Sequence, residues 1–419
     1  MPALQSADYR FLFYNTVLSA AARWALMLAR AWLVFELTDS TGAVAIVTFA
    51  GMAPFLFLGP LGGAMADRFD RRRMAIASAV LGVAFSAALG LLVVTDAVAT
   101  WQVVILAILQ GTSMAMVAPA QDALMPNLVD RQHLLNAVAL SGLARHGSRV
   151  AGPLAGGIVL ATLGAGAAFF VSAGLLALAV LQLTRIRWQP ERRVESTRSP
   201  LSGLGLDVAE GFRYSWQDRR VRLILMLLGA HCGLTMAFDA LMPRLATDVG
   251  GGSTTFTAIL VGVGVGAFAG TLALSLVRDE ETRGRAYAVT GLASGMAMIV
   301  LGLAQTPVVA VIGAGLAGAS QATYMAISAT LIQAIIPDHL RGRVMSLYLM
   351  IAAGHMAFMN LGFGFFADGT GVRVLLVGPG VIWVALFLLA TLTRTDLRYL
   401  LRRGVFVPVE GTAVPTGGR

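Results

Sequence analysis

The stretch from Gly59 to Arg73 reads GPLGGAMADRFDRRR. Small residues closing an apolar run pass straight into a short loop holding Asp67, where the helix leaves the apolar phase, Asp70, and the cations Arg68, Arg71, Arg72 and Arg73. The glycines permit close helix–helix approach in lipid, and an arginine cluster resists translocation, so the loop marks the cytoplasmic end of a membrane helix. Read alone, an ordinary basic stop after a membrane helix looks the same.

Composition supports the membrane. Of 419 residues, 57% are hydrophobic and only 13% charged, with a mean hydropathy of +0.76, which a soluble fold does not tolerate. The net charge of +9 does not indicate nucleic acid, because the basic residues sit in short loops between apolar runs and not along an amphipathic face. All 31 basic residues are arginine, a habit of composition and not of chemistry. The one cysteine, Cys232, excludes an intramolecular disulfide and a cysteine-based metal site. No phosphate-binding loop, nucleophile elbow or H-E-x-x-H pair occurs, so an ATP-driven pump is disfavoured and no cofactor or metal is expected. The first apolar run is too long for a signal peptide and lacks a small-residue cleavage site.

Runs of about 20 apolar residues predict twelve spans, near 10–37, 42–66, 74–95, 100–124, 134–162, 166–186, 219–247, 254–277, 285–304, 308–334, 342–367 and 372–394. With both termini inside, Arg244 and Arg373 fall outside, Arg23, Arg30, Arg145 and Arg149 fall within spans, and every other arginine lies in or beside a cytoplasmic segment. The expected organisation is an all-α membrane protein of two pseudo-symmetric six-helix halves, 1–186 and 219–394, joined by a linker at 187–218 and followed by a tail at 395–419. Leu201, Leu204, Val208 and Phe212 recur at helical spacing opposite Asp207, Glu210 and Arg213, which predicts an amphipathic helix on the inner membrane surface. The halves echo each other at an offset of 211 residues, Pro126 of one loop against Pro337 of another.

The opening loop resembles the signature G-x-x-x-D-R-x-G-R-R of the major facilitator superfamily, matched by Gly63, Asp67, Arg68, Arg71 and Arg72, with Asp70 where the pattern has glycine. The resemblance implies a conformational gate, with Asp67 approaching the start of the eleventh span, about 341–344, while the cytoplasmic side is closed. Ser148 to Gly157 resembles the G-x-x-x-G-P-x-x-G-G motif of that superfamily's drug/proton antiporters, carried here by Gly152, Pro153, Gly156 and Gly157 with Ser148 replacing the leading glycine. Pro153 removes a backbone hydrogen bond and bends its helix, and the glycines allow close packing, which generic small-residue packing also explains. The segments 31–40, 118–126 and 341–346 are similar to the exporters grouped with the enterobactin and macrolide carriers. One departure stands out: the antiporters' fourth-helix arginine is replaced by Ala107, three residues before Gln110-Gly111.

Charges inside a bilayer cost about 2.5–3.5 kcal/mol each on insertion scales and usually mark function. Arg23 and Arg30 share nearly one face of the first span, and Asp239 in the seventh corresponds through the repeat to Leu28, at a depth between them. Asp239 is therefore the leading protonatable candidate, paired with Arg23 or Arg30; a static ion pair is the competing reading. Arg149, with Arg145, extends a polar stripe that either docks substrate or snorkels to lipid phosphates. Gln110, Tyr324 and His355 are further substrate-cavity candidates, while His146, His231 and His355 have core packing as their default role.

What the resemblance implies is a proton-coupled inner-membrane exporter of amphipathic small molecules, monomeric, with protons and lipids as its other partners and no role in nucleic-acid binding. The alternatives are a proton-coupled uptake carrier, or a lipid-translocating or non-transporting membrane protein.

Overall fold

The structure, a computed structural model, describes residues 2–68, 70–187 and 210–406; the side chains at 59–68, 117–120, 122, 123, 131, 135, 146 and 339 lie outside that description. Long apolar segments in lipid must satisfy their backbone groups internally, and the chain answers with helices: α1 Ala7–Thr38, α2 Thr41–Arg68, α3 Arg71–Val94, α4 Thr100–Leu124, α5 Leu134–Arg185, α6 Arg219–Thr235, α7 Met242–Asp248, α8 Ser253–Ser275, α9 Glu280–Gly302, α10 Pro307–Ile335, α11 Arg341–Thr370, α12 Val372–Thr393 and α13 Thr395–Arg403. No strand occurs among the described residues. Among the described residues, ten helical segments are long and apolar enough to cross a membrane, Arg219–Asp248 counting as one of them.

Caps set many of the boundaries. Ser6 accepts from Tyr9 N, Asp279 from Thr282 N, and Asp218 from Arg220 N and Val221 N, each satisfying orphan donors of a first turn. Asp70 accepts from Arg72 N and Arg73 N, so the residue that departs from the signature loop starts α3.

Two segments differ from the hydropathy reading. The fifth and sixth spans form one run, α5, interrupted at Gly164, whose φ of 81° and ψ of 177° suit glycine alone. The seventh span is discontinuous: α6 ends at Thr235, a single 3-10 turn covers Asp239–Leu241, and α7 follows. Pro243, in the first turn of α7, has no N–H to give and would clash with the carbonyl four residues earlier, that of Asp239, in a continuous helix.

Packing divides the helices into two groups. α1 packs on α5, α2 on α4 and α3 on α4 and α5, while α8 packs on α10, α9 on α10 and α12, and α6 on α11 and α12. The extensive contacts between groups are α2 with α11 and α5 with α8. The buried apolar residues form three clusters. One spans both groups, from Leu26–Phe35 of α1 through Phe238–Val249 and Phe256–Val263 to Phe363 and Leu376. The other two stay within a group: Tyr9, Leu12, Ala75, Leu124 and Leu183 in the first, and Val221, Tyr324, Ile332 and Trp383 in the second. The groups are thus sealed together toward the end bearing the loops at 39–40 and 249–252, and have separate cores toward the end bearing the chain termini.

The helical part of the expected linker lies mostly outside the described residues. Residues 210–217 are helical, and Glu210 and Gly211 contact Arg343 at the start of α11.

Candidate transport site

The break between α6 and α7 strands backbone groups in the protein interior, and two buried amides take them. Gln321 of α10 donates its Nε2–H to Thr235 O at 2.6 Å, and Asn360 of α11 accepts from Ala240 N at 3.0 Å. Both amides are 2% exposed. The turn between them presents Asp239, half-buried, to α5 of the other group, where Arg149 is the charged group in whose field it lies. Arg149 also sits over the Trp24 ring of α1 at 5.0 Å, so a cation–π contact fixes its far side.

The expectation paired Asp239 with Arg23 or Arg30. In this conformation Arg23 is exposed and donates to Met114 Sδ of α4 at 3.5 Å. Arg30, two turns further along α1, is sealed at 9% exposure, its guanidinium in the notch at Gly51 of α2; no hydrogen bond or ion pair to it exists among the described residues. The opposite face of α1 is occupied by α5: a Cβ on Gly152 would stand 2.6 Å from Ala21 O, and one on Gly156 2.6 Å from Ala25 Cβ. Ser148, in place of the motif's leading glycine, donates to Val17 O at 3.2 Å. Gly157 looks the other way, against Thr257 of α8, and on that seam a Cβ on Gly264 would stand 2.6 Å from Arg149 O. The segment therefore joins α1 on one side and the second group on the other, with Arg149 and Pro153 between the two contacts.

Beyond this level the groups are closed by apolar and polar contacts. Trp32 stacks on Phe256 at 5.8 Å, and Phe49 meets Phe358 at 5.2 Å. At the rim, Asp368 of α11 accepts from Ser40 Oγ at 2.6 Å, Thr41 N at 2.8 Å and Gly42 N at 3.2 Å, so it caps α2 from the other group. Arg244 pairs with Asp39 across the same rim at 3.1 Å and with Asp248 at 3.4 Å.

The remaining candidates are distributed differently from the expectation. Tyr324 is wholly buried in the second group's core, stacked on His231 at 4.2 Å and on Tyr287 at 4.5 Å, and accepts from Tyr287 OH at 2.9 Å. His231 Nε2 lies 3.2 Å from Ser294 Oγ, whose proton goes to Gly291 O, so the imidazole donates. Gln110 lies against Gly82 on the α3–α4 seam, its Oε1 buried with no partner among the described residues. His355 is exposed, donates from Nδ1 to Ile351 O at 2.9 Å and lies against Gly229 of α6. Of the gate residues, the side chains of Gly63, Asp67 and Arg68 lie outside the described residues. Arg72 donates to Leu183 O at 3.1 Å and Thr184 O at 2.6 Å, binding the negative end of α5, and Arg71 lies beside it at the start of α3.

Apolar spanning helices in two packed groups, a broken helix presenting an acid at their seam, and a seal on one side only define a multi-pass membrane transporter. Residues 1–399 match the family described as transmembrane secretion effector, and the chain belongs to that family, within the major facilitator superfamily. It is 26% identical over 376 residues to the multidrug efflux pump Tap of Mycolicibacterium fortuitum, covering 86% of this chain and 90% of that one. It is 27% identical over 366 residues to Tap of Mycobacterium tuberculosis (84% and 85% covered), and 23% identical over 364 residues to macrolide efflux protein A of Streptococcus pyogenes (84% and 89%). Among solved structures it shares the fold of a POT family transporter (TM-score 0.71, 11% identity, 93% and 96% covered) and of a bacterial homologue of the lysosomal transporter Spinster (0.71, 14%, 97% and 99%). Family and relatives alike are transporters and not enzymes.

Proposed function

We propose that this protein is a proton-coupled exporter of amphipathic small molecules, drug-, macrolide- or siderophore-like, that works by alternating access in the plasma membrane as a monomer. The named activities of the Tap and macrolide efflux relatives support export. Twelve passes in two six-helix halves are supported by the break at Gly164, since α5 at 52 residues would be about 78 Å long, far more than one bilayer needs, and by α4, whose 25 residues carry no charge before Asp122. The arginine partition supports cytoplasmic termini, which makes the sealed rim the outer one and the conformation inward-open.

The observation that carries the coupling is that Asp239, on the one broken spanning helix seen among the described residues, lies in the field of Arg149 across the seam, without a hydrogen bond or ion pair between them among the described residues. Discontinuous helices at repeat interfaces are where secondary transporters place substrates and coupling ions. Ionised, Asp239 attracts Arg149 and favours a closed seam at that level; protonated, it lets go. A substrate entering from the terminus-bearing side and a proton on Asp239 are alternative occupants, so each turnover exchanges one for the other. Arg23 and Met114 offer that substrate a cation and an adaptable apolar wall. Reconstitution into liposomes tests this. A panel of amphipathic compounds should include some whose movement is driven by, and in turn dissipates, an imposed pH gradient. Movement indifferent to the gradient for every compound would exclude proton exchange.

A further inference from the structure

The turn that carries Asp239 has no apolar support of its own for its backbone groups; it exists because Gln321 and Asn360 hold its two sides. Thr235 O, the open end of α6, only accepts, so Gln321 must present nitrogen to it; Ala240 N only donates, so Asn360 must present oxygen. Backbone groups stranded in a dry interior are otherwise unsatisfied, and without these amides the shortest repair is to wind residues 236–239 back into helix as far as Pro243 allows. That would carry Asp239 around the helix axis and away from Arg149. Asn360 also sits on α11, the helix that contacts α2 through Phe358 and Gly364 and that carries Asp368 two turns further on, about 12 Å along the axis.

We infer that Gln321 and Asn360 are the positioning residues of the coupling site: they fix the Asp239 turn, and through α11 they tie its geometry to the seal between the groups. The inference rests on the proposed role of Asp239. The elements packed against the turn are α2, α7 and α11. Residues 41–66 of α2 carry no charge, α7 brings Arg244 and Asp248, and α11 brings Arg341, Arg343, Tyr348, His355 and Asp368. Arg149, from α5, is the group whose field reaches Asp239. A shift in the proton affinity of Asp239 on replacing an uncharged amide thus reports geometry and not a lost charge.

The test is an infrared pH titration of the purified protein in lipid nanodiscs, following the protonated-carboxyl C=O band that disappears in Asp239→Asn. Asn360→Leu and Gln321→Leu should each change the proton affinity read from that band by about tenfold or more. Asn15→Leu is the structural control: that amide is 0% exposed and donates to Ala179 O at 2.9 Å in the other group, so its loss should lower thermal stability and leave the Asp239 band in place. If Asn360→Leu does not fold, Gln321→Met, of nearly the same length and uncharged but without the donor, carries the test. An Asp239 band that titrates identically in the amide variants overturns the positioning role. If no band depends on Asp239 at any pH, the coupling role falls and the inference with it.

Discussion

Replacing Asp368 with alanine removes a cap that one helix group supplies to the other. The carboxylate takes one hydroxyl and two backbone N–H groups of the α2 start at 2.6, 2.8 and 3.2 Å. Ser40 Oγ still accepts from Ala43 N at 3.2 Å, so α2 keeps a local cap when the rim opens. The net contribution of Asp368 is then that of a charged N-cap at an exposed site, about 2 kcal/mol. The Arg244–Asp39 pair adds little beside it, since their side chains are 40% and 82% exposed. Because the cap forms only while the rim is closed, the whole of that energy biases the equilibrium, and Asp368→Ala should raise the ratio of rim-open to rim-closed molecules by roughly 30-fold. Spin labels on cysteines placed at positions 97 and 251 read that ratio by pulsed dipolar spectroscopy; Cys232, 1% exposed, does not take label. An unchanged distance distribution in Asp368→Ala, with Arg244→Gln equally silent, would refute a rim held by this cap.

Three further outcomes are expected. A cysteine at 97 should react with a membrane-impermeant reagent on intact cells and one at 195 should not; the reverse pattern would invert the topology. Gly157→Val, whose Cβ meets Thr257, should increase the open-rim fraction in the same spin-label assay, whereas Gly152→Val, pressed on Ala21 O at 2.6 Å within one group, should lower stability by about 1–3 kcal/mol without that shift. Asp218 caps α6 outside the spanning region: burial raises its pKa, but hydrogen bonds from Arg220 outweigh that and hold it below the ordinary carboxylate range. Such a group stabilises the fold above its unfolded pKa and loses that contribution as pH falls through the folded value, so Asp218→Asn should melt lower at neutral pH and show a flatter loss of stability in acid, measured by thermal unfolding across the acid range.

The spans were legible because hydropathy over about 20 residues is a strong signal: the reading 42–66 meets Thr41–Arg68, and 372–394 meets Val372–Thr393. Asp239 was legible as the acid of the seventh span for the same reason, an uncompensated charge in an apolar run. That Arg149 of α5 is the cation in whose field it lies was not. Sequence offset placed it level with Leu28, but the break before it changes which way the side chain faces, and Pro243 is the local residue that announces the break. Tyr324 reads as a polar handle suited to a cavity, yet its ring is worth more against His231 and Tyr287 than in water, and its hydroxyl has Tyr287 to satisfy it. Asp368 and Asn360 gave no sign in the sequence at all. Their partners lie 327 and 120 residues away, and only the meeting of helices makes one a cap and the other a brace.

If Asp239 exchanges a proton for substrate, transport by Asp239→Asn in liposomes, normalised to folded protein, must lose its response to a pH gradient. The compound used is one that the wild-type protein moves against its own gradient. Asp239→Asn should still bind it and still equilibrate it across the membrane, while the imposed pH gradient no longer accelerates or accumulates it, and Arg149→Gln with Asp239→Asn should fold as well as the wild type because no charge is left alone at the seam. Undiminished gradient-driven accumulation by Asp239→Asn would contradict that exchange.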